Sequence, residues 1–295
     1  MDERASGVIV VGSLHYDIMV WASHRPAAGE TVTGERWAPK FGGKGGNQAV
    51  AAARAGAPTR MVSAVGDDAF GPVLRDQLRQ GGVDDAHVAT LLDKASGMSV
   101  AVSDATGDYG AVIVSGANLL IDPASLEADG LWSGAGMLVL QNEVADDLNV
   151  AAATAARARG VRVCLNAAPY RPLPASLVAL VDVLVVNALE AESLSGVAVN
   201  DLGGAEAAAR ALARTYPVAV VTAGGDGVAV ADRSGSDFTL AAEKVTLVST
   251  HGAGDMFTGT LAAGLAAGVP IRDAVAVANG RAARHVAGLP QDGSH

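Results

Sequence analysis

The sequence predicts an α/β protein with a central, mainly parallel sheet flanked by helices, and with a small β-sheet lid. Three observations favour this fold class. Short apolar runs alternate with helical stretches, glycines close several of those stretches, and 50% of the 295 residues are apolar. Continuous apolar runs are typical of strands covered on both faces, and their alternation with helices indicates crossover units. Because no linker divides the chain, we expect one domain over residues 1–295.

The predicted elements follow one another in a regular order. The strands are Val8–Gly12, Arg60–Val65, Met137–Gln141, Val161–Asn166, Val181–Val186 and Val218–Thr222. The helices are Asn47–Ala55, Gly71–Gln80, Asp146–Arg159, Leu189–Leu194, Ala205–Thr215, Asp255–Ala267 and Ile271–Val286. Four of these helices are followed by a glycine that can adopt the left-handed conformation, at Gly56, Gly160, Gly196 and Gly268.

Two regions break the alternation. Tyr16–Trp21 with Thr31–Phe41, and Met98–Ser103 with Ala111–Ser115, have the pattern of short strands with no crossover helix between the members of each pair. Asp104–Gly110 is a plausible hairpin connection for the second pair. We therefore expect a small secondary sheet, inserted in the main domain, with strands at approximately 16–21, 31–41, 98–103 and 111–115.

Composition excludes several classes of function. Acidic residues outnumber basic ones by 31 to 21, giving a formal net charge of −10, which argues against nucleic acid as a general partner. The single cysteine, Cys164, cannot form an internal disulfide. No apolar run approaches the ~18 residues of a membrane span, and the N-terminal apolar run is too short for a signal peptide. We expect a soluble cytoplasmic protein without a membrane partner.

A glycine-rich loop precedes the first predicted helix. Four glycines around Lys44 allow a ligand to approach the backbone, and the following helix offers unpaired N–H groups. Gly45 stands where a Walker A loop has Ser or Thr. A flexible turn that starts a helix is the plainer interpretation. Lys44 and Asn47 favour a ligand site, because both can donate hydrogen bonds to hydroxyl groups.

A second glycine-rich segment, Gly252-Ala253-Gly254-Asp255, opens the next-to-last helix. Its consecutive amides would lie at a helix N-terminus, where the macrodipole attracts anions. Asp255 could simply cap this helix. A carboxylate beside an anion-binding nest has a chemical purpose if it deprotonates a nucleophile that then attacks the anion, and phosphoryl transfer needs that pairing.

Two further segments follow predicted strands. Asn187 and Glu190 open a helix, which is typical of an N-cap pair, although a carboxylate and an amide can also share a hydrated Mg²⁺ with a phosphate. The loop Thr222–Val228 has the pattern of a tight hairpin turn. At the carboxyl end of a parallel strand, however, such a loop is where α/β proteins bind ligands.

Taken in order, these segments resemble the ribokinase-like carbohydrate kinases, the PfkB family. The resemblance covers roughly residues 8–288, and the glycine-rich loop is most similar to the ribokinase branch. Its most specific part is the pairing of Gly42–Gln48 with Gly252–Asp255. The other matching segments are Gly12–Asp17, Gly29–Gly34, Val65–Asp68, Gly116–Asn118, Gln141–Glu143, Asn187–Glu190 and Thr222–Gly227.

The resemblance implies a kinase that uses ATP and Mg²⁺ to phosphorylate a primary hydroxyl of a small sugar, with ribose as the best guess. Asp255 would be the general base, and the amides of Gly252, Ala253 and Gly254 would form the anion hole for the γ-phosphoryl group. The residues that would hold the sugar are His15, Asp17, Gly43, Lys44, Asn47 and Glu143. Those that would hold the nucleotide are Asn187, Ala223, Gly224, Gly225, Asp226, Gly227, Val228 and Asn279, with Glu190 near the Mg²⁺ waters. The small sheet would be a lid over the sugar and the contact of a homodimer.

Two departures from the family pattern qualify these expectations. Relatives usually have Asn where this chain has His15, so deoxyribose, a ketohexose, another polyol or a nucleoside stays open as the acceptor. Relatives usually have Asp at the position of Ser249, where it helps to bind an activating K⁺, so we expect weak or absent activation by K⁺.

Two alternatives concern the site residues. A sugar-binding protein without catalysis is a further possibility, but Asp255 would then have no purpose. The histidines other than His15 have no metal-ligand spacing and are interpreted as ordinary surface or loop residues, with His251 notable for its place beside the anion nest.

Overall fold

A ten-stranded sheet and a separate four-stranded sheet form the framework of the computed structural model, which describes residues 6–104 and 109–290. The strands are β1 (Gly7–Val11), β2 (His15–Trp21), β3 (Arg36–Gly42), β4 (Thr59–Gly66), β5 (Val83–Asp84), β6 (Val88–Leu91), β7 (Gly97–Ser103), β8 (Tyr109–Val114), β9 (Ala135–Gln141), β10 (Arg162–Asn166), β11 (Val183–Asn187), β12 (Val218–Thr222), β13 (Gly227–Asp232) and β14 (Asp237–Ala241).

Helices connect most of these strands. The α-helices are α1 (Lys44–Arg54), α2 (Phe70–Gln80), α3 (Asp146–Ala158), α4 (Ala175–Val178), α5 (Ala188–Ser195), α6 (Leu202–Leu212), α7 (Ala253–Ala266) and α8 (Ile271–Val286), and short 3₁₀ segments lie at Gly116–Leu120, Pro123–Glu127 and Gly224–Asp226. Each of the seven helices predicted from the sequence is present, with ends shifted by at most a few residues. In α1 the start moves forward to Lys44, because Gly43, with a φ of 84°, turns the chain directly into the helix.

The large sheet has the order β14-β13-β12-β11-β10-β9-β1-β4-β5, with β6 also paired to β4. All pairings from β12 through β5 are parallel, so the predicted parallel sheet is confirmed. At one edge, β13 and β14 run antiparallel. These two strands are not predicted from the sequence, because they extend the sheet as hairpins and have no crossover helix between them.

Helices cover both faces of the large sheet, and this explains the apolar residues of β1. Ile9 and Val11 point into a core shared with α3, α5 and α6. Val8 and Val10 point into a second core on the opposite face, shared with α1, α2, α7 and α8. A strand that is buried on both faces needs apolar residues at every position.

The small sheet has the order β3-β2-β7-β8. As predicted, it forms from two strand pairs, each antiparallel, and β2 joins β7 in parallel. The first pair differs from the prediction, because β3 begins at Arg36 rather than Thr31. Arg36 pairs with Trp21, the last residue of β2, so an earlier start would leave β3 without a partner. The connection predicted at Asp104–Gly110 lies partly outside the described residues.

No helix in the described parts of the chain is both long and apolar enough to cross a membrane.

Candidate active site

The candidate residues gather at the carboxyl ends of five neighbouring strands. Along this edge the loop after β12 comes first, then Asn187 at the end of β11 and Asn166 at the end of β10. Glu143 follows the end of β9, and the chain beyond β1 reaches Asp17. With neighbouring strands ~4.8 Å apart, the proposed nucleotide and sugar residues are separated by a few strand widths, and the residues of β10 lie between them.

Asp255 lies over the middle of this edge, in the first turn of α7, and is 8% exposed. Its Oδ1 accepts a hydrogen bond of 2.9 Å from Gln48 Nε2, and its Oδ2 accepts one of 3.1 Å from Asn47 Nδ2. Burial raises the pKa of Asp255, against the opposing effects of the Lys44 charge and of the two hydrogen bonds. A buried carboxylate with a raised pKa is suited to accept a proton from a hydroxyl group.

Gln48 connects Asp255 to strand β10 of the large sheet through hydrogen bonds. Its Nε2 also donates to Asn166 Oδ1 at 3.0 Å, and Asn166 Nδ2 donates to the carbonyl of Val185 at 3.1 Å. The sequence analysis did not assign Gln48 or Asn166 to the site. Gln48 follows Asn47 in the glycine-rich motif, which is a usable signal, whereas Asn166 is marked only as a polar residue that ends an apolar strand.

The hydrogen bonds to Asp255 require α1 and α7 to approach each other closely. Gly259 lies one turn after Asp255, and a Cβ atom added there would lie 2.3 Å from the carbonyl oxygen of Gln48 and 2.7 Å from Ala51 Cβ. Only glycine fits at this crossing. Gly259 therefore sets the distance at which α1 presents Asn47 and Gln48 to Asp255.

The residues of the proposed anion nest lie at the start of α7, as the sequence predicts. Gly252 is the N-cap residue with a φ of 79°, and Ala253 and Gly254 form the first turn. The N–H groups of a first helical turn have no carbonyl partner within the helix. A Cβ atom added to Gly254 would meet no atom within 4 Å, so the space beside the Cα atom of Gly254 is open. Three amides and the Asp255 carboxylate thus share one helix end.

Beyond the end of β9, Glu143 is held by two donors. Its Oε2 accepts from Ser13 Oγ at 2.5 Å and from the backbone N–H of Lys44 at 2.8 Å. The glycine-rich loop is packed closely against the chain beyond β1, since a Cβ atom on Gly43 would lie 2.8 Å from His15 N and one on Gly45 would lie 2.6 Å from Ser13 N. The loop is therefore a turn that starts α1, as the plainer interpretation of the sequence has it, and it is closely packed at both glycines.

Asp17 joins the small sheet to the site. It is 5% exposed, and its Oδ1 accepts a hydrogen bond of 2.5 Å from Ser99 Oγ on the neighbouring strand β7. Burial raises the pKa of Asp17, and the Ser99 hydrogen bond opposes that effect. The sequence analysis missed Ser99, because the parallel pairing that places it opposite Asp17 joins residues 82 positions apart.

A cavity of about 280 Å³ adjoins Glu143 and His15. Two of its polar wall residues are buried, His15 at 3% exposure and Asn142 at 4%. His15 Nε2 and Asn142 Oδ1 have no hydrogen-bond partner, and an unsatisfied buried polar atom costs about 1–3 kcal/mol. The remaining wall residues are Ile113, Ser115, Leu119, Pro169 and Arg171.

At the other end of this edge, the loop Ala223–Val228 connects β12 to the antiparallel β13, so it is a hairpin and also lies at the end of a parallel strand. Gly227 has a φ of 127°, and a Cβ atom there would lie 2.1 Å from the carbonyl oxygen of Leu240. Asn279 on α8 donates to the carbonyl of Ala241 at 2.9 Å. Because Ala241 pairs with Gly227, Asn279 and the loop lie on the same part of the sheet edge.

Asn187 and Glu190 form a capping box at the start of α5. Asn187 Oδ1 accepts from Glu190 N at 3.0 Å, and Glu190 Oε2 accepts from Asn187 N at 2.9 Å. Glu190 is 6% exposed, and burial raises its pKa, with the Lys44 charge opposing and the Asp255 charge adding to that effect. Glu190 therefore lies within electrostatic range of Asp255 and Lys44.

The described residues contain no group of three or more His, Cys, Asp or Glu side chains that could hold a metal ion. A Mg²⁺ ion that keeps several waters needs only one or two carboxylates together with substrate phosphates. One buried carboxylate at this place, that of Glu190, fits such a partly hydrated ion and does not fit an ion held by protein ligands alone.

Comparisons with known proteins agree over almost the whole chain. The model of the pfkB family of carbohydrate kinases matches residues 5–287. The ribokinase of Mus musculus is 36% identical over 265 residues, which cover 88% of this chain and 82% of that protein. The ribokinase of Bacillus subtilis is 34% identical over 287 residues, which cover 97% and 94% of the two chains. The solved structure of Arabidopsis thaliana ribokinase complexed with ribose and ATP matches with a TM-score of 0.86 at 28% identity, over 95% of this chain and 92% of that chain.

Proposed function

The chain belongs to the pfkB family of carbohydrate kinases, and on this premise we propose that it transfers the γ-phosphoryl group of ATP to a primary hydroxyl of a small sugar. Phosphotransfer to an alcohol group is the activity of the family. Ribose is the first acceptor to test, because the relatives compared above are ribokinases at 34–36% identity and one solved relative is complexed with ribose and ATP.

One observation carries the proposed chemistry: the buried carboxylate of Asp255 shares a helix end with the three amides of the nest. In this proposal Asp255 accepts the proton of the attacking hydroxyl. The amides of Gly252, Ala253 and Gly254 stabilise the charge on the phosphoryl group during transfer. The plainer interpretation, that Asp255 caps α7, is not favoured, because the two oxygens of Asp255 accept hydrogen bonds from the side chains of Gln48 and Asn47 on α1.

The acceptor is proposed to lie between Asp255 and the start of the small sheet. Asp17 and Glu143 would accept hydrogen bonds from its hydroxyl groups, and Lys44 and Asn47 would donate to them. The backbone at Gly43, where no side chain fits, would form the floor of the pocket, and His15 would contact the end of the acceptor farthest from Asp255.

The nucleotide is proposed to bind along the other half of the edge. The hairpin loop Ala223–Val228, Asn187 and Asn279 would contact it, with its phosphates directed at the nest. When bound, Mg²⁺ would neutralise phosphate charge through waters held by Glu190. The chain's own cation in this region is Lys44, whose charge acts on both Glu190 and Asp255.

The small sheet is proposed to close over the acceptor as a lid and to pair with a second copy of this chain. One of its faces holds Asp17 and Ser99, which face the site. On the strand beside them, Val112 and Val114 are 70% and 51% exposed. Successive side chains of a strand point to opposite faces. Val112 and Val114 therefore point away from the face of Ile113, which lines the cavity. An exposed apolar face of this kind favours a homodimer contact.

A larger acceptor than ribose is the second candidate, and the cavity beside Glu143 favours it. His15 Nε2 and Asn142 Oδ1 would gain partners if the acceptor carried a hydrogen-bonding group at its far end. The proposed classes are a ketohexose or another polyol, and a nucleoside, with deoxyribose as a smaller alternative.

Activation by K⁺ is proposed to be weak or absent. The hydroxyl of Ser249 accepts a hydrogen bond of 3.3 Å from His251 N and carries no negative charge with which to hold a monovalent cation. A change of less than about twofold in the rate between K⁺-free and K⁺-containing buffers would agree with this, and a many-fold rise would contradict it.

The test is ADP release with ATP, Mg²⁺ and a panel of ribose, deoxyribose, fructose and a nucleoside, on the wild type and on Asp255→Asn. Loss of a general base lowers kcat by about 10²–10⁴-fold. Asp273→Asn is the matched control, because Asp273 is also in the first turn of a helix, α8, but is exposed. Equal turnover by the wild type and Asp255→Asn would refute the assignment.

A further inference from the structure

We infer that His285 is a positioning residue, which aims the Gly252 amide into the anion nest by holding the carbonyl of His251. This inference rests on the proposed function, because it concerns the proposed anion hole. From the sequence, His285 was interpreted as an ordinary surface or loop histidine. In the structure it is half-buried near the end of α8 and contacts the loop that leads into α7.

A hydrogen bond joins the two histidines. His285 Nε2 lies 2.9 Å from the carbonyl oxygen of His251. A carbonyl oxygen can only accept, so Nε2 carries the hydrogen and donates it. The ring also lies directly against the next residue, since a Cβ atom added to Gly252 would be 3.2 Å from His285 Nε2.

The consequence for Gly252 comes from the geometry of the peptide bond. The peptide between His251 and Gly252 is a planar unit, in which the C=O and N–H bonds of a trans peptide point in opposite directions. Because the carbonyl points to His285 on α8, the N–H of Gly252 points away from α8. This N–H is the first of the three amides in the proposed anion hole, so the imidazole acts from behind the nest and does not contact the phosphate.

The same turn of α8 holds the start of the loop. The carbonyl of Val286 accepts from Val248 N at 2.8 Å and from Ser249 N at 3.1 Å. The loop is therefore attached to α8 at Val248 and Ser249 through a backbone carbonyl, and at His251 through the His285 side chain. Between these points the loop is exposed, so its conformation depends mainly on these attachments.

A displaced amide would affect catalysis more than acceptor binding. Removing one donor of an oxyanion hole lowers kcat by about 10²–10³-fold, and a shift of about 1 Å in a catalytic group lowers the rate by about 10²-fold. In the proposed site, the acceptor is held by α1, β2 and the chain after β9, whereas His285 contacts the loop before α7 at His251 and Gly252. Loss of the His285 hydrogen bond should therefore lower kcat and leave the acceptor KM nearly unchanged.

The first experiment compares three variants in the ADP-release assay. We expect His285→Ala to lower kcat about tenfold or more, with the acceptor KM within about twofold of the wild type. His285→Gln keeps an N–H donor on a side chain of similar reach, and we expect it to recover most of the lost kcat. Arg284→Ala is the matched control, because Arg284 donates to the carbonyl of Pro290 at 2.9 Å on the same helical turn, and its kcat should stay within about twofold.

The second experiment does not depend on activity. Amide hydrogen exchange of the segment 248–256 should become faster in His285→Ala than in the wild type, and should stay at the wild-type rate in Arg284→Ala. If the wild type phosphorylates no acceptor, the proposed function fails, while this measurement still decides whether His285 holds the loop. A wild-type kcat with unchanged exchange in His285→Ala overturns the inference, as does a kcat in His285→Gln no higher than in His285→Ala.

Discussion

The substitution Gly259→Ala tests whether the contact between α1 and α7 positions the proposed base. A Cβ atom at residue 259 would lie 2.3 Å from the carbonyl oxygen of Gln48 and 2.9 Å from the backbone nitrogen of Ala52. Heavy atoms that are not bonded sit ~3.5 Å apart at their optimum, so the two helices would have to separate locally by about 1 Å. The obstructing atoms belong to the α1 backbone, which no side-chain rotation can move aside.

Two effects should follow from this displacement. Overpacking of a core contact destabilises a protein by about 1–3 kcal/mol. The higher helix propensity of Ala than of Gly offsets up to about 1 kcal/mol of this loss. The larger effect should be on catalysis, because Gln48 and Asn47 move with α1 while Asp255 moves with α7. A displacement of about 1 Å in the catalytic geometry corresponds to a loss of about 10²-fold in rate.

The measurements are kcat/KM from ADP release and the free energy of unfolding from urea titration. Gly264→Ala is the matched control on the same helix. Its added Cβ atom would lie 3.1 Å from Ala274 Cβ, a contact that a shift of a few tenths of an ångström relieves. We expect Gly264→Ala to keep kcat/KM within about threefold of the wild type. If Gly259→Ala keeps both wild-type stability and wild-type kcat/KM, the α1–α7 contact does not position Asp255.

Three further predictions concern pH, acceptor choice and assembly. Burial raises the pKa of Asp255, so the stability that its protonated form contributes is present below the unfolded pKa and decreases as the pH rises through the folded pKa. Urea titrations over an acid pH series should show this decrease in the wild type and not in Asp255→Asn. Parallel curves of stability against pH for the two proteins would contradict the prediction. His15→Asn should raise kcat/KM for ribose relative to larger acceptors by about tenfold, which corresponds to the loss of one hydrogen bond of ~1.4 kcal/mol to the larger acceptor. An unchanged preference in the acceptor panel would show that His15 does not select the acceptor. Val112→Glu places a charge on the exposed apolar face of β8, where Val112 is 70% exposed, and should convert a dimer to a monomer in sedimentation velocity. A wild type that sediments as a monomer would contradict the proposed homodimer contact through the small sheet.

The sequence was sufficient for the parallel part of the large sheet, because strands buried on both faces leave continuous apolar runs. It was not sufficient for β13 and β14, because these antiparallel strands are joined without the crossover helices on which the prediction of the other strands depends. The same contrast holds within the site. Asp255 and the residues of the proposed nest are adjacent in sequence and were predicted together, whereas Gln48 contacts Asp255 across 207 positions. Ser99 and His285 were missed for the same reason, since their partners are set by strand pairing and helix packing.

The contacts of Asp255 distinguish the proposed base from a helix cap. A capping side chain accepts from the backbone N–H groups of its own helix, as the amide oxygen of Asn187 does from Glu190 N in α5. Asp255 instead accepts from Gln48 and Asn47, two side chains of another helix, and burial raises its pKa. A cap at an exposed position would stabilise α7 without that unfavourable burial of charge. Because Asp255 accepts from α1, it does not compete with an anionic ligand for the first-turn amides of α7, of which Ala253 N donates to the carbonyl of Thr250 at 3.3 Å. The Lys44 charge and the two donors of α1 oppose the rise that burial causes in the pKa of Asp255.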